Sequence, residues 1–255
     1  MAKNVISDIR NLQRRKARRR ETDAVLEGVR LVEEALAAQV PLRGAVVSAA
    51  LDRSMRGSAL RTTLSKAGVD LTVVEDRELV RLADTDTPQG VVALATLREW
   101  TLQDVSITGR GCVVVLDGVQ DPGNVGTIIR TSLGLGAAAV ILLRGTARLH
   151  HPKVLRATMG AAFRLPVVHA ADDDVRDWCH GNGITLWVAD PAGRAIRSTP
   201  VPPRVALIVG SEAHGVQSDL ARGAVKVAIP LGGRTDSLNA GIAAGILLYE
   251  VIGDD

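Results

Sequence analysis

Aromatic side chains make up only 2% of this 255-residue chain, and Trp100, Phe163, Trp178, Trp187 and Tyr249 stand singly. Proteins that hold single-stranded bases stack them on clustered aromatics, so a stacking platform is excluded as the main binding device. Cysteine is scarce too: Cys112 and Cys179 have no metal-ligand spacing and read as inert thiols in a reducing compartment. His150-His151 has no carboxylate or cysteine at ligand distance along the chain, so no metal site is expected. No apolar stretch reaches the length of a membrane span. The first twenty residues, MAKNVISDIRNLQRRKARRR, lack the apolar core of a signal peptide, and a cytoplasmic location is the expectation.

What acid is missing matters locally. The net charge is only +3, yet Arg10, Arg14, Arg15, Lys16, Arg18, Arg19 and Arg20 crowd into eleven positions with no acid among them before Glu21. Such a run is either a solvated helix face or a phosphate-binding arm, and the lack of interleaved acid favours the arm. Contacts of that kind position a nucleic acid without reading its sequence.

Alternating short elements predict a small α/β unit over residues 1–97. The spacing gives a basic helix over 3–20, a strand at Ala24–Val29, a helix at Arg30–Ala38, strands at Ala45–Ala49, Leu71–Val74 and Val91–Thr96, and a helix near Ser58–Ala67. Residues 98–110, polar and aperiodic, read as a linker. From 111 to 255 the alternation lengthens. Strands are predicted at Cys112–Leu116, Ala138–Leu143, Pro166–Val168, Ile184–Ala189, Val205–Val209 and Val225–Ile229. Helices are predicted at Gly123–Leu135, Pro152–Gly160, Asp172–His180 and Leu238–Ile252. The fold class is α/β, with a parallel sheet joined by right-handed crossovers. Gly134-Leu-Gly136-Ala-Ala-Ala139 imitates a dinucleotide fingerprint, but it follows a helix and precedes a strand, so it reads as a helix C-cap.

Ligands bind at the carboxyl ends of parallel strands, and two glycine-rich turns fall there: Gly210-Ser-Glu212-Ala-His-Gly215 and Pro230-Leu-Gly-Gly233. The helix after them carries Gly241 and Gly245, each costing about 1 kcal/mol relative to alanine, which implies close approach by a partner helix or a cofactor. Ser237 or Asp236 is available to cap it. Together with Leu116-Asp-Gly-Val-Gln-Asp-Pro-Gly-Asn124-Val-Gly-Thr-Ile-Ile-Arg130 and Ile229-Pro-Leu-Gly-Gly-Arg-Thr-Asp-Ser237-Leu238-Asn239, these turns resemble the three ordered motifs of the SpoU (TrmH-like) branch of the SPOUT RNA methyltransferases. The likeness covers nearly the whole chain and is sharpest from residue 112 onward.

That resemblance implies a trefoil-knotted C-terminal domain, a homodimer, and an N-terminal domain that holds RNA. It implies transfer of a methyl group from S-adenosylmethionine to a ribose 2′-hydroxyl, with large-subunit ribosomal RNA as the expected substrate and housekeeping or antibiotic resistance as the expected setting. Val209, Gly210, Ser211, Ile229, Leu231, Leu238 and Asn239 would form the cofactor cradle. Asn124, Arg130, Glu212, Ser237 and Asn239 would carry catalysis. Arginine is effectively always protonated, so Arg130 suits phosphate binding and alkoxide stabilisation better than base action. His214 is RNA-facing at most. Lys153 and Arg156, three apart on one helical face, join Arg14, Arg15, Lys16, Arg18, Arg19 and Arg20 as candidate RNA contacts, a plain solvated face being the alternative.

Two departures stand out. Gly210-Ser-Glu carries serine where asparagine is frequent, and Asn239-Ala-Gly-Ile replaces the usual Asn-Val-Ser-Val, removing a serine hydroxyl and leaving Ala240, Gly241, Ala244 and Gly245 as a small-residue face for a partner subunit. Transfer RNA as substrate, a non-catalytic RNA-binding role, and a nucleotide-dependent oxidoreductase are the competing readings.

Overall fold

The computed structural model describes residues 2–13, 22–233 and 237–253. The chain divides into two compact units: the residues up to Glu99 with His150–Phe163, and Trp100–Leu149 with the residues from Arg164 onward.

The first unit is built on a four-stranded mixed sheet of β1 (Asp23–Glu27), β4 (Val91–Thr96), β2 (Leu42–Val47) and β3 (Leu71–Val73), in that order. β4 runs antiparallel to both neighbours, whereas β2 and β3 are parallel. Helices α1 (Ala2–Gln13), α2 (Val29–Ala37), α3 (Met55–Lys66) and α4 (Asp76–Val80) complete the N-terminal part, α4 being unforeseen. The expected basic helix is seen as far as Gln13, and Arg14, Arg15, Lys16, Arg18, Arg19 and Arg20 lie outside the described residues. Its visible part is a core element. Val5 and Ile9 are buried in the cluster formed by Val25, Val46, Val92 and Leu94, and Arg10 bonds Glu78 at 3.3 Å.

Helix α6 (Pro152–Thr158) belongs to this unit although the chain reaches it only after the second unit has begun. The reason is a buried carboxylate. Glu27, 4% exposed at the end of β1, accepts Asp84 N–H at 2.7 Å, Thr85 N–H at 3.3 Å and the Thr85 hydroxyl, and Arg156 reaches it at 3.2 Å while bonding Asp84 at 2.7 Å. Arg156 turns its guanidinium onto two acids, because a carboxylate this deep needs a cation. Lys153 on the same helix is exposed.

The second unit holds six strands, all parallel, in the order β10-β8-β9-β5-β6-β7: β5 (Gly111–Asp117), β6 (Ala139–Leu142), β7 (Val167–His169), β8 (Thr185–Ala195), β9 (Arg204–Gly210) and β10 (Val225–Ala228). Cys112–Leu116 and Val205–Ile208 are fully buried, as strands covered on both faces should be. Burial pushes the Cys112 and Cys179 thiols up to about 12. Much of the expected linker joins this core: Trp100 bridges to Val168, and Leu102 and Val105 are buried. β8 runs six residues past its expected end, and Gly193 sits where a Cβ would fall 2.6 Å from the Val227 nitrogen. Helices α5 (Pro122–Leu135), α7 (Asp172–Gly181) and α8 (Ala240–Ile252) flank the sheet, and Gly136 closes α5 in the left-handed conformation, the C-cap expected of it.

The small-residue face of α8 has a different partner from the one anticipated. Ala240, Gly241 and Ala244 are buried, and Cβ atoms at 241 and 245 would lie 3.4 Å from Thr127 Cγ2 and 3.5 Å from Thr131 Cγ2. The glycines therefore admit α5 of the same chain. The face left exposed on α8 is apolar, with Ile242, Ile246 and Tyr249 at helical spacing. No helix among the described residues is long and apolar enough to cross a membrane.

Replacing Arg156 with alanine leaves Glu27 buried with one charge-matched partner fewer. We expect a loss of about 1–3 kcal/mol of stability in denaturant unfolding; an unchanged midpoint would show that the pair does not hold α6 in place.

Candidate active site

The carboxyl ends of β5 and β9 lie side by side, with Asp117 paired in register to Gly210. Three segments converge there. α5 opens with Asp121 as N-cap, its carboxylate accepting the Asn124 N–H at 2.9 Å, and with Pro122 in the first turn, where a missing N–H is harmless. That cap fixes Asn124 in the first turn of the helix. β9 ends in a tight turn in which Ser211 and Gly215 exchange backbone hydrogen bonds of 3.1 and 2.9 Å. A Cβ on Gly210 would stand 2.1 Å from the Gly215 carbonyl carbon, so only glycine lets this turn close. Glu212 sits at its tip. The third segment is the start of α8.

Glu212 joins them. Its Oε1 accepts Asn124 Nδ2 at 2.5 Å, the Ala240 N–H at 3.2 Å and Asn239 Nδ2 at 3.3 Å, while Asn239 Nδ2 also donates to Asn124 Oδ1 at 2.9 Å. Residues 115 positions apart thus share one polar cluster at the protein surface. A carboxylate at the start of α8 is also favoured by the helix dipole. Glu212 Oε2 takes no donor among the described residues, which leaves an acceptor for a ligand hydroxyl.

The cap of α8 is Asn239, whose Oδ1 accepts the Gly241 and Ile242 N–H groups at 3.0 and 3.3 Å. This corrects the expectation of a serine or aspartate cap and starts the helix two residues later than expected. Asn239 therefore splits its amide, using the oxygen for the helix and the nitrogen for Asn124 and Glu212. Ser237 lies two residues ahead, and residues 234–236 are outside the described range.

Two supporting residues escaped the sequence reading. Asp117, 6% exposed, accepts the Gln217 and Ser218 N–H groups at 2.6 and 2.7 Å and so anchors the far side of the Glu212 turn. Thr146 donates its hydroxyl to the Leu116 carbonyl at 2.8 Å and accepts the Gly118 N–H at 3.1 Å. Their partners lie 100 and 28 or more residues away, and no local pattern announces them. Nearby, burial, reinforced by the charges of Asp117 and Asp173, holds the Asp172 carboxyl above the usual carboxylate range.

The remaining expected residues are distributed as follows. Arg130 is exposed on α5, nearly two turns beyond Asn124, and makes no hydrogen bond or ion pair with any described residue. Val209 is buried, so only its backbone is available. Ser211 turns its hydroxyl to the His214 N–H at 3.2 Å. Ile229 and Leu238 are half-buried and Leu231 is 36% exposed. Cβ atoms at Gly232 and Gly233 would meet nothing within 4 Å. His151 caps α6, accepting the Lys153 N–H at 3.2 Å, and no group of three or more metal-ligating side chains is found among the described residues.

A six-stranded parallel sheet whose glycine-punctuated turns close on a polar cluster defines an α/β protein with its site at the carboxyl edge of the strands. Two family models match the chain: SpoU rRNA Methylase over residues 111–249 and the MRM3-like substrate binding domain over residues 3–93. The protein belongs to the SpoU rRNA methylase family. It is 33% identical to the 23S rRNA (guanosine(2553)-2′-O)-methyltransferase RlmP of Bacillus subtilis, over 97% of this chain and 96% of that one. An AdoMet-bound rRNA methyltransferase from Sinorhizobium meliloti superposes with a TM-score of 0.83 at 32% identity, covering 96% of this chain and 93% of the other. The SpoU methyltransferase AviRb from Streptomyces viridochromogenes, in complex with AdoMet, gives a TM-score of 0.86 at 26% identity, covering 97% and 96%.

Asn124→Asp sets a second carboxylate against Glu212 at 2.5 Å. Like charges at that distance repel, so the variant should melt below the wild type near neutral pH, and the deficit should shrink as the pH is lowered. A deficit independent of pH would mean that the contact is not electrostatically coupled.

Proposed function

We propose that this protein is an S-adenosylmethionine-dependent ribose 2′-O-methyltransferase acting on large-subunit ribosomal RNA in the cytoplasm. The observation that carries the reading is the closure of Asn124, Glu212 and Asn239 on one another at the carboxyl edge of the sheet. The names of the relatives, rRNA 2′-O-methyltransferase and AdoMet-bound rRNA methyltransferase, support it.

Bound at the three turns, S-adenosylmethionine supplies a methyl group on a sulfonium, a good leaving group, so most of what the protein must do is position the acceptor. The backbone of Val209, Gly210 and Ser211 and the aliphatic side chains of Ile229, Leu231 and Leu238 hold the cofactor's adenosine. Gly232 and Gly233 admit it without steric conflict. Glu212 keeps one carboxylate oxygen on the Asn124–Asn239 pair and offers the other to the ribose; Ser237 and Asn239 complete that polar rim. Arg130 binds the target phosphate and stabilises negative charge developing on the 2′-oxygen, a role that suits a permanently protonated guanidinium.

Residues 1–97 receive the RNA and residues 111–255 transfer the methyl group, with Lys153 and the basic run at Arg14–Arg20 adding phosphate contacts; a substrate-binding family model over 3–93 and a methylase model over 111–249 support this division. The C-terminal segment forms a trefoil knot, a reading supported by β10 returning to the sheet edge beyond β8 before α8 packs against α5. The protein is a homodimer, with the exposed apolar stripe Ile242, Ile246 and Tyr249 as its interface and Arg130 of one subunit serving the cofactor of the other.

Calorimetry with S-adenosylmethionine and methylation of a large-subunit ribosomal RNA transcript test the reading; absence of cofactor binding overturns it in favour of a non-catalytic RNA-binding protein, and methylation of transfer RNA alone redirects the substrate. Arg130→Ala should retain cofactor binding and lose roughly 10²–10³-fold in methyl transfer, whereas full activity would rule out both roles given to the arginine. Placing aspartate at 246 and 249 should convert the dimer to monomer in sedimentation velocity and abolish methylation; a dimer that persists would exclude this face as the interface.

A further inference from the structure

The turn between β6 and Leu149 shares the carboxyl edge of the sheet with the Asn124 cluster but has no part in the chemistry assigned above. It is held firmly. The Thr146 hydroxyl is bonded to both Leu116 and Gly118, the Ala147 N–H donates to the Val119 carbonyl at 3.0 Å, and Thr146 and Leu149 are buried. Two left-handed glycines nest where the turns meet, Gly145 at φ 89° and Gly118 at φ 65°, with the Cβ position of Gly145 only 3.7 Å from the Gly118 Cα. A side chain at either position would be strained. The loop is therefore zipped to the very turn that leads into Asp121 and the Asn124 cap.

On this fixed loop Arg144 and Arg148 are exposed, and neither makes a hydrogen bond or ion pair with any described residue. Asp121 accepts the Asn124 N–H and Asp173 bonds Arg176 at 2.5 Å. Arg43, Arg53, Arg56, Arg61 and Arg156 are each paired with a carboxylate, whereas Arg144 and Arg148, like Arg130 of the site, are not. A loop that spends a buried threonine hydroxyl and two left-handed glycines on presenting two unpaired guanidinium groups next to a ribose-directed site is organised to meet anions. On an RNA strand those anions are the backbone phosphates, which arginine recognises with a bidentate fork.

We infer that the Arg144–Arg148 loop is a phosphate-contact surface for the RNA strand beside the target ribose, with Thr146 fixing the separation of its two arginines. The inference rests on the RNA-modifying reading above and adds a contact surface on the sheet-edge loop to the N-terminal domain and basic run.

Filter binding of the full-length protein to an in vitro transcript of large-subunit ribosomal RNA, between about 50 and about 200 mM salt, tests it. Arg144→Gln and Arg148→Gln should each weaken binding and make the plot of log affinity against log salt shallower by about 0.7 to 0.9. Arg144→Lys and Arg148→Lys should restore most of the slope, since a point charge still meets a phosphate. Thr146→Val should weaken binding with both arginines present. Affinity for S-adenosylmethionine, read by calorimetry, should be that of the wild type in the two glutamine variants. Unchanged affinity and slope in those variants would overturn the inference, as would loss of cofactor binding, which would make the loop part of the cofactor site. Because RNA binding is measured apart from catalysis, a wild type that binds RNA but no cofactor sinks the enzymatic reading and leaves the loop to be judged on its slope.

Discussion

The Glu212 carboxylate is the contact on which the organisation of the site depends. One of its oxygens draws in the side-chain amides of Asn124 and Asn239 and the first backbone N–H of α8, so it fixes the start of one helix against the start of another. Neither asparagine could replace it. An amide offers one acceptor atom and carries no charge to set against the α8 dipole, and both amides are already committed, Asn239 to its cap and Asn124 to Asn239. Everything around the cluster serves to bring this oxygen to that point: the Gly210 turn, the Asp117 anchor on its far side, and the Asp121 cap that fixes the first turn of α5.

Much of this arrangement was legible in the sequence. The six apolar runs from Cys112 to Ile229 correspond to the six parallel strands because strands buried on both faces read as continuous apolar runs, and their short length and flanking glycines and prolines separate them from buried helices. The three motifs located the site because parallel sheets collect ligands at one edge. What stayed hidden were contacts whose partners are remote. Arg156 read as a candidate RNA contact or a solvated cation, and nothing local pointed to Glu27, 129 positions earlier, as its partner. Asp117 read as the first residue of the loop after a strand, and its role emerges only when the Gln217 and Ser218 N–H groups are seen to donate to it. Helix caps misled for a different reason. Ser, Asp and Asn cap almost equally well, so a Thr-Asp-Ser-Leu-Asn run leaves the start of a helix undefined until tertiary contacts choose among them.

The glycines of α8 carry a similar lesson. Composition correctly required a close neighbour, but it could not say whether that neighbour was a second subunit, a cofactor or another part of the same chain. Thr127 and Thr131 on α5 occupy the space. Packing α5 and α8 this tightly brings their N-termini into register, and it is at those N-termini that Asn124 and Asn239 meet. Helix packing and site geometry are thus set by the same pair of glycines.

The chain passes between its two compact units three times, after Glu99, after Leu149 and after Phe163. A module that recruits a helix from deep within its neighbour's sequence is not a separable cassette. Exchange of N-terminal domains between relatives by recombination near residue 98 would deliver a β1 carboxylate evolved against one α6 to another, so in this architecture the N-terminal domain and α6 must change together.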